Sequence, residues 1–107
     1  MKILDSEIQR FFNTKNWKIA LRYYDQDVVD EIVIRESVAG CVYEIQASVM
    51  VYGYENHCNI LLNNKGEILD FSCNCPYCEQ QELACGHIGV VLLVVYDLEP
   101  EIGRAHV

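Results

Sequence analysis

Residues 71–93 read FSCNCPYCEQQELACGHIGVVLL, and four donors in that run limit what the chain can become. Cys73 and Cys75 stand two apart, nine residues follow, and Cys85 and His87 again stand two apart. At the end of a strand, residues i and i+2 point to one face and can reach one ion together. In a regular helix the same spacing splays two side chains. Cys85 is therefore expected just before a helix and His87 in its first turn, with Gly86 permitting the bend. The helix N-terminus then faces thiolate, which its partial positive charge favours. Three thiolates and one imidazole make the closed tetrahedral set of structural zinc. Cys78 leaves the assignment open at this stage, because its C-x-x-C spacing from Cys75 would let it replace Cys73 or Cys85.

With 107 residues the chain has room for one domain, 1–107, with a modest core. The N-terminal MKILDSEIQRFF turns charged before a signal-peptide core can form, and no apolar stretch reaches the length of a bilayer crossing. A cytoplasmic protein without membrane contact is expected. In a reducing compartment, six cysteines point to metal ligands or buried thiols before disulfides. The net charge of −8 argues against a broad grip on nucleic-acid phosphates, although Lys15, Lys18 and Arg22 lie close together.

Pattern along the chain predicts an α+β fold, with helices and sheet over 5–70 and the zinc-binding part over about 71–96. Ile8, Phe11 and Phe12 follow helical spacing behind Asp5 and Ser6 as candidate caps, and Trp17, Leu21 and Tyr24 repeat it as the buried face of a second short helix. From Val28 the period becomes two. Ile32 and Ile34 alternate with Glu31, Val33 and Arg35, and Ala39 and Gly40 help to end that strand. In the next strand Tyr43, Ile45, Ala47, Val49 and Val51 share one face. HCNILLN and EILDFSC then flank NKG, a hairpin signal with Gly66 free to take positive φ. The antiparallel meander delivers the chain into Cys73. HIGVVLLVVYDL fits a buried strand or a buried helix by periodicity alone; its length and the need to cover a meander favour a helix of about three turns, ended near Asp97 and Pro100.

C-x-C, nine residues, then C-x-H before an apolar run resembles the SWIM zinc finger. CNCPY and CGHIGVVLL are similar to that family's C-x-C-P and C-K-H-I-x-A-V-L-L, with Cys73, Cys75, Cys85 and His87 in the four ligand places. Over roughly residues 5–96 the order WKIALRYYDQDVVDEIVI, sheet, finger resembles the N-terminal SWIM module of bacterial Snf-type helicase-like ATPases. The resemblance implies one structural Zn2+, a ββα-like zinc unit on a small sheet, and a non-catalytic role in contacts with a protein partner, an adjoining ATPase domain or nucleic acid. The ATPase motor would lie on another segment, since this chain has no G-x-x-x-x-G-K-[ST]. Where the family usually carries a basic residue between the last Cys and His, this chain has Gly86, which removes one cation from any DNA contact.

CPYC at Cys75–Cys78 is also the active-site tetrapeptide of glutaredoxins, which makes a dithiol oxidoreductase the alternative. The tetrapeptide is the whole of that resemblance. A glutaredoxin needs most of its fold, and a proline facing the thiols, downstream of the motif; here the later proline is Pro100, beyond the last predicted element. Cys41 and Cys58 fall in predicted strands and read as small buried hydrophobes. His57 and His106 have no ligand partner at suitable spacing. Tyr52 and Tyr54 near one turn can stack on bases, but sheet packing is the simpler role. The acidic runs DQDVVDE and DLEPE read as solvated faces, not as a catalytic carboxylate pair.

Overall fold

The meander's alternation, apolar toward one side and polar toward the other, is what a sheet covered on one face requires, and the computed structural model has that arrangement. It describes residues 5–37, 42–75 and 83–105. Two helices, α1 (Asp5–Phe11) and α2 (Thr14–Asp25), precede four strands, β1 (Val29–Glu36), β2 (Val42–Val51), β3 (Tyr54–Asn63) and β4 (Ile68–Cys73). A last helix, α3 (Gly86–Ala105), follows. The fold is α+β. Its sheet runs β1-β2-β3-β4, and every neighbouring pair is antiparallel.

Tyr43, Ile45, Ala47, Val49 and Val51 of β2 are all buried, as their alternation predicts. Cys58, Ile60 and Leu62 continue that inner face in β3, and Ile68 and Cys73 continue it in β4. The β3–β4 turn takes its shape from Gly66, at φ 83°, and from Asn63, whose Oδ1 accepts from the backbone N–H groups of Lys65 and Glu67 at 2.9 Å each. Glu7, buried on α1, accepts the Ile68 N–H at 2.9 Å and so ties α1 to the start of β4. Ala39, Gly40 and Cys41 lie outside the described residues.

α3 is apolar on more than one face because it lies between two layers. Ile88, Val91, Leu92 and Val95 belong to the same buried cluster as the sheet residues. α2 packs across α3 at Gly86 and Gly89. A Cβ on Gly89 would stand 2.5 Å from the Ala20 Cβ, and one on Gly86 would stand 2.6 Å from the Ile19 Cγ2. Gly86 thus serves a close helix approach and has no positive φ; among the described residues the positive-φ glycines are Gly53 and Gly66.

The same approach corrects the expected face of α2. Its buried residues are Asn16 and Ala20, whereas Leu21 and Tyr24 are exposed and Trp17 is only half-buried. Against a glycine-lined helix a small side chain fits where a leucine does not, so shape decided over hydrophobicity. Asn13 caps α2 with its side chain, accepting from the Asn16 N–H at 2.7 Å, while Asp5 and Ser6 open α1 from inside its first turn. α3 also continues through Pro100 to Ala105. A proline removes one helical N–H donor and costs about 3 kcal/mol, a penalty and not a prohibition. Among the described residues no helix is long and apolar enough to cross a membrane.

Candidate metal centre

β4 ends at Cys73, and Cys75 lies two residues past it; α3 begins at Gly86, so Cys85 immediately precedes the helix and His87 stands in its first turn. The ligand atoms of Cys73, Cys75, Cys85 and His87 all lie within 4.8 Å of one another, with the three cysteines buried and the histidine half-buried. The structure therefore brings together the four residues that the spacing singles out, a Cys3His cluster able to hold a metal ion. Cys78 lies outside the described residues, as does His106; His57 is exposed on β3, and its backbone N–H donates to Asn74 Oδ1 at 2.9 Å.

Geometry tests how well a tetrahedral ion suits these donors. Zn–S bonds of about 2.3 Å and Zn–N bonds of about 2.0–2.1 Å give a tetrahedron whose N···S edges are roughly 3.6 Å. His87 Nδ1 stands 3.7 Å from Cys73 Sγ and 3.6 Å from Cys85 Sγ. These two distances and the donor types suit a tetrahedral, thiophilic metal ion, of which zinc is one.

Local backbone prepares the sulfurs for negative charge. Cys85 occupies the N-cap of α3: its carbonyl accepts the Gly89 N–H at 3.1 Å, and its sulfur accepts the backbone N–H of Ile88. The Cys73 sulfur likewise accepts a backbone N–H from Cys75. Hydrogen bonds from Cys58 and from Cys85, the largest influences, hold the Cys73 thiol well below the usual thiol range. Its partner Cys85 is pushed up, first by that shared hydrogen bond and then by burial. Crowded thiols thus divide their protons unequally, and a bound cation would satisfy all of them at once.

Three neighbours of the site carry no sequence signal. Asn56 on β3 places its side-chain amide 3.4 Å from His87 Nε2, the ring nitrogen turned away from the sulfurs. A histidine binding metal through Nδ1 carries its proton on Nε2, so the Asn56 side-chain oxygen, with the amide turned, is the group that would accept it. Tyr23 of α2 stacks on the imidazole, ring centroids 5.6 Å apart and planes at 15°. Burial, then the nearby Tyr52 and Cys85, raise the Tyr23 phenol above its ordinary range. Cys58, buried as its strand position implies, proves to be the register partner of Cys73 and contacts it. All three come from elements distant in sequence, where only pairing and packing place them.

α2 and the loop before α3 hold the junction from the other side. Asn16 Nδ2 donates to the Ala84 carbonyl at 3.0 Å, and the Ala84 N–H donates to the Phe11 carbonyl at 2.9 Å. Buried Ala84 is thereby fixed one residue ahead of Cys85. No family model, curated protein or solved structure matches this chain.

Proposed function

We propose that this chain is a zinc-binding interaction module of the SWIM type, in which Cys73, Cys75, Cys85 and His87 hold one structural Zn2+. The mutual approach of these four donors carries the reading. Their placement adds support: a C-x-C pair leaving a strand and a C-x-H pair opening a helix is the arrangement that the resemblance implies. With four protein ligands the ion has no position left for water, so the module acts by contact and not by catalysis. The partner is a protein or an adjoining ATPase domain of a longer chain. Tyr52 supports a contact surface, since it is 86% exposed and is held at φ 51°, a backbone conformation unfavourable for a bulky residue.

One observation favours nucleic acid as a second reading: Lys15, Lys18 and Arg22 line a single hollow on α2 together with Thr14 and Ile19. The basic residue usual between the family's last Cys and His has no room here, because any side chain at Gly86 runs into Ile19 and Tyr23. Phosphate contact would therefore depend on α2, and a Lys15/Lys18/Arg22 triple-alanine variant with unchanged, salt-sensitive DNA affinity would remove it. The dithiol reading of CPYC gains nothing from the sheet, whose described pairings are all antiparallel and supply no βαβ unit.

Elemental analysis of the purified protein tests the main proposal. One zinc per chain is expected, lost in Cys73→Ser, Cys75→Ser, Cys85→Ser and His87→Ala and retained in Cys78→Ser. Protein free of stoichiometric metal would refute the zinc site, and loss of zinc in Cys78→Ser would show a different ligand set.

A further inference from the structure

Cys58 adjoins the metal centre, yet the four-ligand set does not use it. Its position follows from the β3–β4 ladder, in which Cys58 pairs with Cys73. The Asn74 N–H donates to the His57 carbonyl at 3.4 Å, just outside that pair. This pattern makes Cys58 and Cys73 a non-hydrogen-bonded pair, the kind whose Cα atoms approach to about 4.5 Å and whose side chains stand closest. Disulfides span Cα separations of about 4.4–6.8 Å. The two side chains are already in hydrogen-bonding contact. A buried strand cysteine is ordinarily a small hydrophobe, but one in register with a metal ligand has a reaction partner.

We propose that Cys58 and Cys73 are a disulfide-forming site for peroxide-class oxidants, and that closing this cross-strand bond withdraws Cys73 from the metal and releases the ion. The inference rests on the four-ligand reading. In the first step the Cys73 thiolate attacks one peroxide oxygen and the O–O bond breaks, giving the sulfenic acid and a hydroxide that takes a proton from solvent to become one water. In the second the Cys58 sulfur attacks the Cys73 sulfur, the S–O bond breaks, and the Cys58 proton leaves with the hydroxyl as a second water. One thiolate and one thiol are together oxidised by two electrons, and one peroxide, with one proton from solvent, is reduced to two waters.

Position selects Cys58 over the other thiols of the centre. A bond between two of the four clustered residues would need Cys75 or Cys85, which sit beyond the β3–β4 ladder and are not held opposite Cys73 by strand pairing. Cys58 is held opposite Cys73 by the backbone pairing of β3 with β4. Its near-complete burial is compatible with this role, because the second sulfur never meets the oxidant. The half-buried His87 marks the side of the cluster nearest solvent.

Zinc-loaded protein treated with hydrogen peroxide, with zinc release followed by a chromophoric chelator and disulfides mapped by peptide mass, tests the proposal. Wild-type protein should release its zinc as a Cys58–Cys73 disulfide forms. Cys58→Ala should load zinc with unchanged stoichiometry and release it roughly tenfold more slowly. Equal release from both proteins, or a first disulfide between another pair, overturns the inference. If Cys58→Ala fails to load zinc, Cys58→Ser decides: loading with slow release upholds the proposal, and failure to load makes Cys58 a part of the metal site and overturns it. Should wild-type protein bind no zinc, the ligand reading fails by itself; peroxide treatment of that metal-free protein still tests the Cys58–Cys73 bond, whose absence from the map overturns the pairing.

Discussion

Ile45, Val49, Ile60 and Leu62 in the sheet, with Ile88, Leu92 and Val95 in α3, are almost wholly removed from solvent. From the end of β4 to the start of α3 the buried side chains among the described residues are Cys73, Cys75, Ala84 and Cys85, small groups that join the edge of the same core cluster. The body is held by burial, at about 1.5–3 kcal/mol for each large side chain. The junction has instead a set of directed donors, backbone N–H bonds to sulfur, and the Asn16 and Phe11 contacts to Ala84. An ion held by these four donors would add to that thin layer of burial, and it would do so locally, where the chain turns from sheet to helix.

Removing the ion should separate the two regions most sharply. Structural zinc contributes on the order of 10 kcal/mol to folding in small fingers, but here the sheet and α2 have contacts that do not involve the site. After chelation, or in Cys85→Ser, stoichiometric zinc is lost and amide protection over residues 83–90 collapses, while 42–63 stays protected in hydrogen exchange. Unchanged protection across 83–90 after verified metal removal would abolish the distinction. Ile45→Ala attacks the other region. It should cost about 2–5 kcal/mol in denaturant unfolding and still load a full equivalent of zinc; loss of the metal in this folded variant would show one cooperative unit in place of two.

A smaller effect lies at the boundary. Asn56→Ala removes the amide beside His87 Nε2 without touching a sulfur, and zinc affinity should fall about tenfold to a hundredfold by competition titration at unchanged secondary structure. An unaltered affinity would leave Asn56 with a packing role only. The smallest change is on the hairpin between β2 and β3, where Tyr52 and Gly53 both have positive φ, at 51° and 81°. Tyr52→Asn creates the Asn-Gly pair that such a turn prefers and should stabilise the protein by about 0.5–1 kcal/mol in thermal unfolding, with zinc binding unaffected. A loss of stability would mean that the tyrosine ring makes a contact worth more than the backbone strain.

Several features are legible in the order of residues because they depend on local stereochemistry. The inner face of β2, the Gly66 turn, and the placement of Cys85 ahead of α3 with His87 inside it follow from residue spacing and from the rise and rotation of strand and helix. The four donors follow on the same basis. Their spacing on a strand end and a helix start leaves few ways to avoid meeting once the two elements pack together.

Other features have no local signature. Apolar spacing nominates Trp17, Leu21 and Tyr24, but the two glycines of α3 admit Ala20 and Asn16, and only the facing helix supplies that steric limit. The buried valines of α3 fit strand or helix by pattern; its place between a sheet and α2 makes a helix apolar on several faces acceptable. Asn56, Tyr23 and Cys58 reach the metal centre from β3 and α2, across separations that no periodicity encodes. The sequence by itself determined which elements carry the four clustered residues, since bond geometry operates over a few residues. The neighbours that orient His87 and stand against Cys73 were decided only by strand register and helix packing, because those contacts exist only once distant parts of the chain are held together.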